Sequence, residues 1–207
     1  DNHTSISEED LKYFLEKLFK SSKELNGLLQ NLLEWSMSQS GELSNRPENL
    51  QVEHLIDAAI EPLRLNLDIK QIHFSMEADE NLYITVDKKM TLTILRNLLS
   101  NAIKFTPTEG TISVKVYENE NNVLMEVADT GIGIENKDLD KLFHHGTNYN
   151  QIGNSTEKGT GLGLVLCQEL IEKQFGKITV ESQVGEGSTF TITLPKAEKQ
   201  STVDIMA

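Results

Sequence analysis

Asn97, Asn101 and Lys104 fall at spacings of four and three in the run Asn97-Leu98-Leu99-Ser100-Asn101-Ala102-Ile103-Lys104-Phe105-Thr106, so on a helix they share one face. Two amides and an ammonium make a poor packing surface but a good clamp for a metal ion and a polyphosphate. Leu95, Leu98 and Ala102 fall on the opposite face and can hold that helix on a core. The chemistry expected of such a face is nucleotide binding.

Two glycine-rich segments could complete it. In Asp129-Thr130-Gly131-Ile132-Gly133-Ile134 an apolar run ends in an acidic residue followed by two glycines. A carboxylate there can accept a hydrogen bond from an exocyclic amine such as that of adenine, and the glycines permit close backbone approach. The same residues suit a plain turn. Asp-Thr-Gly is also the triplet of a homodimeric aspartic protease, in which two aspartates share a proton; nothing else in the chain supports that reading. Gly159-Thr160-Gly161-Leu162-Gly163-Leu164 opens a helical pattern after a polar stretch, and free N–H groups at a helix start bind phosphate. It is neither a dinucleotide fingerprint, since Leu164 holds the sixth position and no strand precedes it, nor a Walker loop, since Gly-Lys-Ser/Thr is missing.

These motifs need elements to position them. Leu11, Leu18, Leu25 and Leu32 repeat every seven residues, with Phe14, Leu28 and Trp35 between them, which predicts a long helix in the first forty residues, self-associating in the favoured reading and packed on its own domain in the alternative. Gly41 and Pro47 punctuate the chain, placing a boundary near 40–47. Val52, Leu55, Ile56, Ala59, Ile60, Leu63 and Leu67 read as one amphipathic helix. Alternation predicts strands around Ile72–Met76, Leu82–Val86, Ile112–Val116, Val123–Val127, Lys177–Ser182 and Ser188–Leu194. Asp87 is a plausible N-cap for the helix bearing the Asn/Lys face, and a second helix is expected from about Leu162 to Gln174. The stretch from His144 to Thr160 has almost no apolar residues and reads as a lid or binding loop. Strands grouped beside helices with hairpin connections imply an α/β fold: a two-layer sandwich of a mixed, mostly antiparallel sheet covered by helices, preceded by a long helix.

Composition narrows the class. The 207 residues carry a formal net charge of -13, which argues against nucleic-acid binding. No apolar run approaches the roughly 20 residues of a membrane span, so no direct membrane insertion is expected. The acidic, polar start is no signal peptide. The single Cys167 lies in an apolar helical pattern, a buried inert thiol, and excludes an internal disulfide framework. These features fit a cytoplasmic protein.

In order and content the three motifs closely resemble the ATP-binding domain of sensor histidine kinases, within the fold group of type II DNA topoisomerases, mismatch-repair ATPases and 90-kDa heat-shock chaperones (the Bergerat-type fold). The resemblance covers about residues 48–195. The leading helix, with Leu28-Leu29-Gln30-Asn31-Leu32-Leu33-Glu34-Trp35-Ser36, looks like the second helix of the family's dimerisation and phosphotransfer hairpin. It implies a truncated hairpin over 1–45, the ATPase domain over 46–196 and a polar tail over 197–207.

Carried over residue by residue, the resemblance implies that Asn101 ligates Mg²⁺, that Asn97 supports metal and phosphates, and that Lys104 pairs with the phosphates. Phe105 would line the nucleotide. Asp129 would read the adenine amine with help from Thr189, above a pocket floor of Gly131, Gly133 and Ile134. Phe143 would precede the lid. Gly159, Thr160, Gly161, Leu162 and Gly163 would close it over the triphosphate, and Lys158 would touch the terminal phosphate. The topoisomerase and chaperone relatives place a glutamate base four residues before the metal asparagine; here that residue is Asn97, which has no useful basicity. This favours phosphoryl transfer to a protein over hydrolysis.

The expected reaction is transfer of the terminal phosphate of ATP to a histidine and then to an aspartate of a response-regulator receiver domain, by a homodimer that forms through the N-terminal helix. None of His3, His54, His73, His144 and His145 lies in the family's acceptor context. The chain is accordingly expected to be a fragment that begins after the acceptor helix, from a parent anchored in the inner membrane or free of it. The alternative is a nucleotide-binding regulatory module that transfers nothing. The lid departs from the common pattern, since His144-His145-Gly146 follows Phe143 and the next aromatic is Tyr149.

Overall fold

The structure is a computed structural model that describes residues 7–39, 44–79, 82–144 and 162–196. The chain divides into two compact units, Asp1–Leu43 and Ser44–Ala207.

The first unit is one helix, α1 (Glu8–Gln39). Ser7 starts it. The Ser7 hydroxyl accepts from the Asp10 N–H at 3.0 Å and donates to the Asp10 carboxylate at 2.7 Å, a reciprocal cap. Leu11, Phe14, Leu15, Leu18, Phe19, Leu25, Leu29 and Leu33 are all more than half exposed. At 3.6 residues per turn these positions cover an arc of roughly 140°, wider than the seam of a two-stranded coiled coil. No helix among the described residues is long and apolar enough to cross a membrane.

The second unit opens with β1 (Pro47–Gln51) and α2 (Val52–Ile60), which buries Val52, Leu55, Ile56, Ala59 and Ile60. The single helix expected through Leu67 is interrupted. Pro62 cannot donate an N–H to a continuing helix, and Glu61–Leu63 tightens into a 3-10 turn before α3 (Arg64–Ile69). Next come β2 (His73–Glu77), β3 (Tyr83–Asp87), α4 (Lys88–Phe105), β4 (Thr111–Glu118) and β5 (Asn122–Asp129). A single turn, α5 (Asn136–Leu139), is followed by α6 (Leu162–Glu172), β6 (Lys177–Gln183) and β7 (Gly187–Pro195).

β1, absent from the sequence reading, pairs antiparallel with β3 in a separate ribbon, from Pro47 opposite Asp87 to Gln51 opposite Tyr83. The main sheet has the order β2-β4-β5-β7-β6. β2 runs parallel to β4 and the other neighbours are antiparallel, so the sheet is mixed and mostly antiparallel, as expected. Its inner face carries Ile112 and Val114 of β4, Val123, Met125 and Val127 of β5, and Phe190, Ile192 and Leu194 of β7. Ile94, Leu95, Leu98 and Leu99 of α4 and Val165, Leu166, Leu170 and Ile171 of α6 are buried in the helical layer, where α4 packs beside both α2 and α6. The outer face carries polar, exposed residues such as Lys115, Tyr117, Lys177 and Glu181, so the unit has two layers.

Candidate functional site

The polar helix face is set by events at both ends of α4. At its start the Asp87 carboxylate accepts from the Met90 N–H at 3.0 Å, the cap that satisfies an orphan donor of the first turn. The buried Gln174, just past α6, accepts from the Asp87 N–H at 2.9 Å and from the Thr91 hydroxyl at 3.2 Å, tying the two helices together. Leu95, Leu98 and Ala102 are buried, while Asn97, Asn101, Lys104 and Phe105 remain partly exposed. The Asn97 amide nitrogen donates to the Thr93 carbonyl at 3.0 Å, which turns its Oδ1 away from the helix. That oxygen meets the bare Cα of Gly163, where a Cβ would lie 2.8 Å from it. Gly163 is therefore the point of close approach between α6 and α4. The Lys104 ammonium stands 5.1 Å from the centroid of the Phe105 ring, a cation–π contact.

At the other end, all four terminal carbonyls of α4 are satisfied. The Ala102 carbonyl accepts from the backbone N–H and hydroxyl of Thr106 at 2.9 and 2.7 Å. Those of Ile103 and Lys104 accept from the Lys70 ammonium at 2.7 and 2.9 Å, and that of Phe105 accepts from the Ile132 N–H at 3.3 Å.

The last bond joins α4 to the Asp129 loop. Asp129 ends the central strand β5, on the same face as Val123, Met125 and Val127. Its Oδ1 accepts from the Gly131 N–H at 2.8 Å. A Cβ on Gly131 would stand 2.5 Å from that oxygen and 2.8 Å from the Phe105 carbonyl. Gly133 has φ +69°, and a side chain there would run into the Gln183 carbonyl. The loop is also held to the β6–β7 hairpin, with Ile134 N–H on the Ser182 hydroxyl and Gly185 N–H on the Ile132 carbonyl, both at 2.8 Å. Burial pushes the Asp129 carboxyl above the ordinary aspartate range, partly offset by the backbone N–H groups of Gly131 and Ser188.

Thr189 does not stand beside Asp129. It pairs with Ala128, one residue back, and side chains alternate along a strand, so Thr189 lies on the outer face of the sheet. The residue opposite Asp129 on the inner face is Ser188. Its hydroxyl lies 2.9 Å from that of Ser182, which in turn donates to the Gly187 carbonyl at 2.8 Å. The signal was present in the sequence: Ser188 shares its parity with Phe190, Ile192 and Leu194, as Asp129 does with Val123 and Val127.

Phe143 is half-buried beside the buried Leu142. Leu162 and Gly163 begin α6. Lys158, Gly159, Thr160 and Gly161 lie outside the described residues, as do His3, His145 and the tail. His54 and His73 are exposed, and Cys167 is buried. A cleft of about 670 Å³ lies behind the loop, lined by Ile134 to Lys137 and Ser182 to Val184, and touches neither Asp129 nor the polar face of α4.

The family model for histidine kinase-, DNA gyrase B- and HSP90-like ATPases matches residues 86–198, from the α4 cap through the last strand. The chain belongs to that ATPase family. This membership supports ATP as the ligand and leaves the protease reading of Asp129 without a foundation. The chain is 31% identical over 189 residues to the circadian input-output histidine kinase CikA of Synechococcus elongatus, covering 88% of this chain and 25% of that protein. It is 31% identical over 175 residues to the sensor histidine kinase WalK of Bacillus subtilis, 84% of this chain and 29% of that one. The solved catalytic domain of the histidine kinase ThkA superposes with a TM-score of 0.64 at 26% identity, covering 73% of this chain and 96% of that domain. ThkA in complex with its response regulator TrrA shares the fold over 96% of this chain and 55% of that one, with a TM-score of 0.74 at 22% identity. The chain spans about a quarter of the length of CikA.

Proposed function

We propose that this chain is the ATP-binding catalytic portion of a two-component sensor histidine kinase, which transfers the terminal phosphate of ATP to a histidine on another segment for relay to a response-regulator aspartate. The observation that carries the reading is the convergence of three separated segments. The Asn97 amide abuts the start of α6, and the Phe105 carbonyl abuts the Asp129 loop, so α4 bridges the adenine-reading and phosphate-facing parts.

In this reading Asp129 accepts from the adenine amine, with Ser188 rather than Thr189 as its neighbour. Lys104 pairs with the phosphates beside the Phe105 ring, and the glycines at 159–163 close over the triphosphate with Lys158. The donor set on α4 fits Mg²⁺: amide oxygens are hard ligands, and that ion takes one or two protein oxygens and completes its shell with phosphate and water. Asn101 would hold it through Oδ1, and Asn97, whose nitrogen is engaged with Thr93, would offer its Oδ1 as a second oxygen. Magnesium held by these residues would supply charge neutralisation at the phosphoryl group. Position 97 carries an amide, so α4 offers no base for water, and transfer rests on alignment and charge neutralisation. The wide apolar arc of α1 suits a helical bundle with a second copy and supports a homodimeric parent.

The test combines the chain, Mg·ATP and a separately made acceptor helix, and reads acid-labile phosphate on histidine. Transfer is expected, together with its near-complete loss in Asn101→Asp. ATP binding without transfer would favour a regulatory module, and no ATP binding would sink the proposal. Transfer undiminished in Asn101→Asp would remove the metal assignment.

A further inference from the structure

From the pattern of hydrogen bonds at the end of α4 we infer that Lys70 is a positioning residue for the nucleotide site. The inference rests on the proposed site and concerns a residue 33 to 36 positions before the carbonyls it holds. Lys70 follows α3, and its backbone is fixed on both sides. Its N–H donates to the Asn66 carbonyl at 3.2 Å, and its own carbonyl accepts from the Glu109 N–H at 2.9 Å. The partly buried ammonium then donates to three carbonyls, those of Ile103 at 2.7 Å, Lys104 at 2.9 Å and Thr106 at 3.0 Å. An ammonium has three protons, so this arrangement uses its whole donor capacity. Its charge also sits at the carbonyl end of the helix, where the dipole favours a cation.

The turn held in this way carries three functions at once. It bears the Lys104 side chain, places the Phe105 ring under that ammonium, and presents the Phe105 carbonyl to Ile132. The Asp129 loop meets α4 through this backbone, with Gly131 bare against the same carbonyl. Lys70 therefore sets the distance between the carboxylate that reads the base and the ammonium that faces the phosphates, without touching the nucleotide. Without it the Ile103 and Lys104 carbonyls lose their donor, and the last turn is free to unwind.

The test compares wild-type protein with Lys70→Met, Lys70→Gln and Lys70→Arg, using Mg·ATP titrated calorimetrically well below each melting temperature, and the KM for ATP in the transfer assay. Lys70→Met is expected to weaken ATP binding about tenfold, the loss typical of one charge-assisted contact, and to raise KM by a similar factor. Lys70→Arg, which restores charge and donors, should recover most of the affinity, with Lys70→Gln between them. If Lys70→Met does not fold, the Gln and Arg variants carry the same ranking. A variant series in which melting temperature falls while affinity and KM stay within twofold of wild type would overturn the role. Wild-type protein that binds no ATP would instead refute the functional proposal beneath it.

Discussion

Replacing Gly163 with alanine should separate the stability of this domain from its ligand binding. The added Cβ would stand 2.8 Å from Asn97 Oδ1, where ordinary contacts begin near 3.4 Å, so the amide must retreat by the difference of 0.6 Å. The obstacle is the end of a side chain, so the backbone can stay in place. Retreat strains the bond from the Asn97 amide to the Thr93 carbonyl, whose net worth is about 1 kcal/mol. Against this, alanine is favoured over glycine in a helix by up to about 1 kcal/mol, and by less here, since Gly163 is the second residue of α6. The two effects cancel, and thermal unfolding should change by no more than a few degrees. ATP affinity should not be spared, because in the proposed site Asn97 would support the metal and phosphates from that very oxygen; a loss of roughly five- to tenfold follows from misplacing one polar contact. Calorimetric titration with Mg·ATP measures it. In a double-mutant cycle, Gly163→Ala should cost little further affinity once Asn97 is alanine. Unchanged affinity in the single variant, or full additivity in the cycle, would refute the claim that Gly163 acts through Asn97.

Two other substitutions follow from the site and its frame. Burial raises the Asp129 pKa, so the folded state holds that proton more tightly than the unfolded chain. Its contribution to stability is greatest in acid and is lost as pH rises through the ordinary carboxylate value to the raised one. Asp129→Asn should therefore melt no lower than wild type at neutral pH while binding ATP far more weakly; a lower melting temperature across that range would contradict the burial argument. Phe175, just beyond α6, has φ +59° and is 85% exposed, at a helix C-terminus where glycine is the usual occupant. Phe175→Gly should stabilise the domain by about 1 kcal/mol, read as a higher midpoint in denaturant, and an unchanged or lower midpoint would show that the ring makes a compensating contact.

Local signals carried the helices and most strands. Asp87 announces α4 because a cap acts on the three residues after it, and the apolar spacing from Ile94 to Ile103 marks the buried face directly. β1 went unread because Pro-Glu-Asn-Leu-Gln has neither alternation nor β-branched residues. Its pairing with β3 arises from the fold. The break at Glu61-Pro62 was legible, since Pro62 alone forbids a continuous helix there, yet the apolar period on either side outweighed it. The Asp129 neighbour turned on one residue of register, which moves every side chain of a strand to the other face. Lys70 could not be read at all: its three acceptors are backbone carbonyls, which leave no trace in residue type.

Asp87 does more than start a helix. One carboxylate oxygen caps α4 through Met90, the other accepts from the Arg46 N–H at 2.9 Å, and the neighbouring Asn45 amide donates to the Lys173 carbonyl at 3.0 Å. The strand of chain that enters the domain at residues 44–46 is thereby fastened to the base of both helices that meet at Asn97 and Gly163. α4 has 18 residues and so a length of about 27 Å. It behaves as a lever whose short end is gripped by the entering chain. A tilt of about 3° at Asp87 displaces the far end by more than an ångström over that length, comparable with the margin that separates a productive phosphate contact from a lost one. Any displacement of the entry segment would in this way be felt at the proposed nucleotide site, with the helix carrying it.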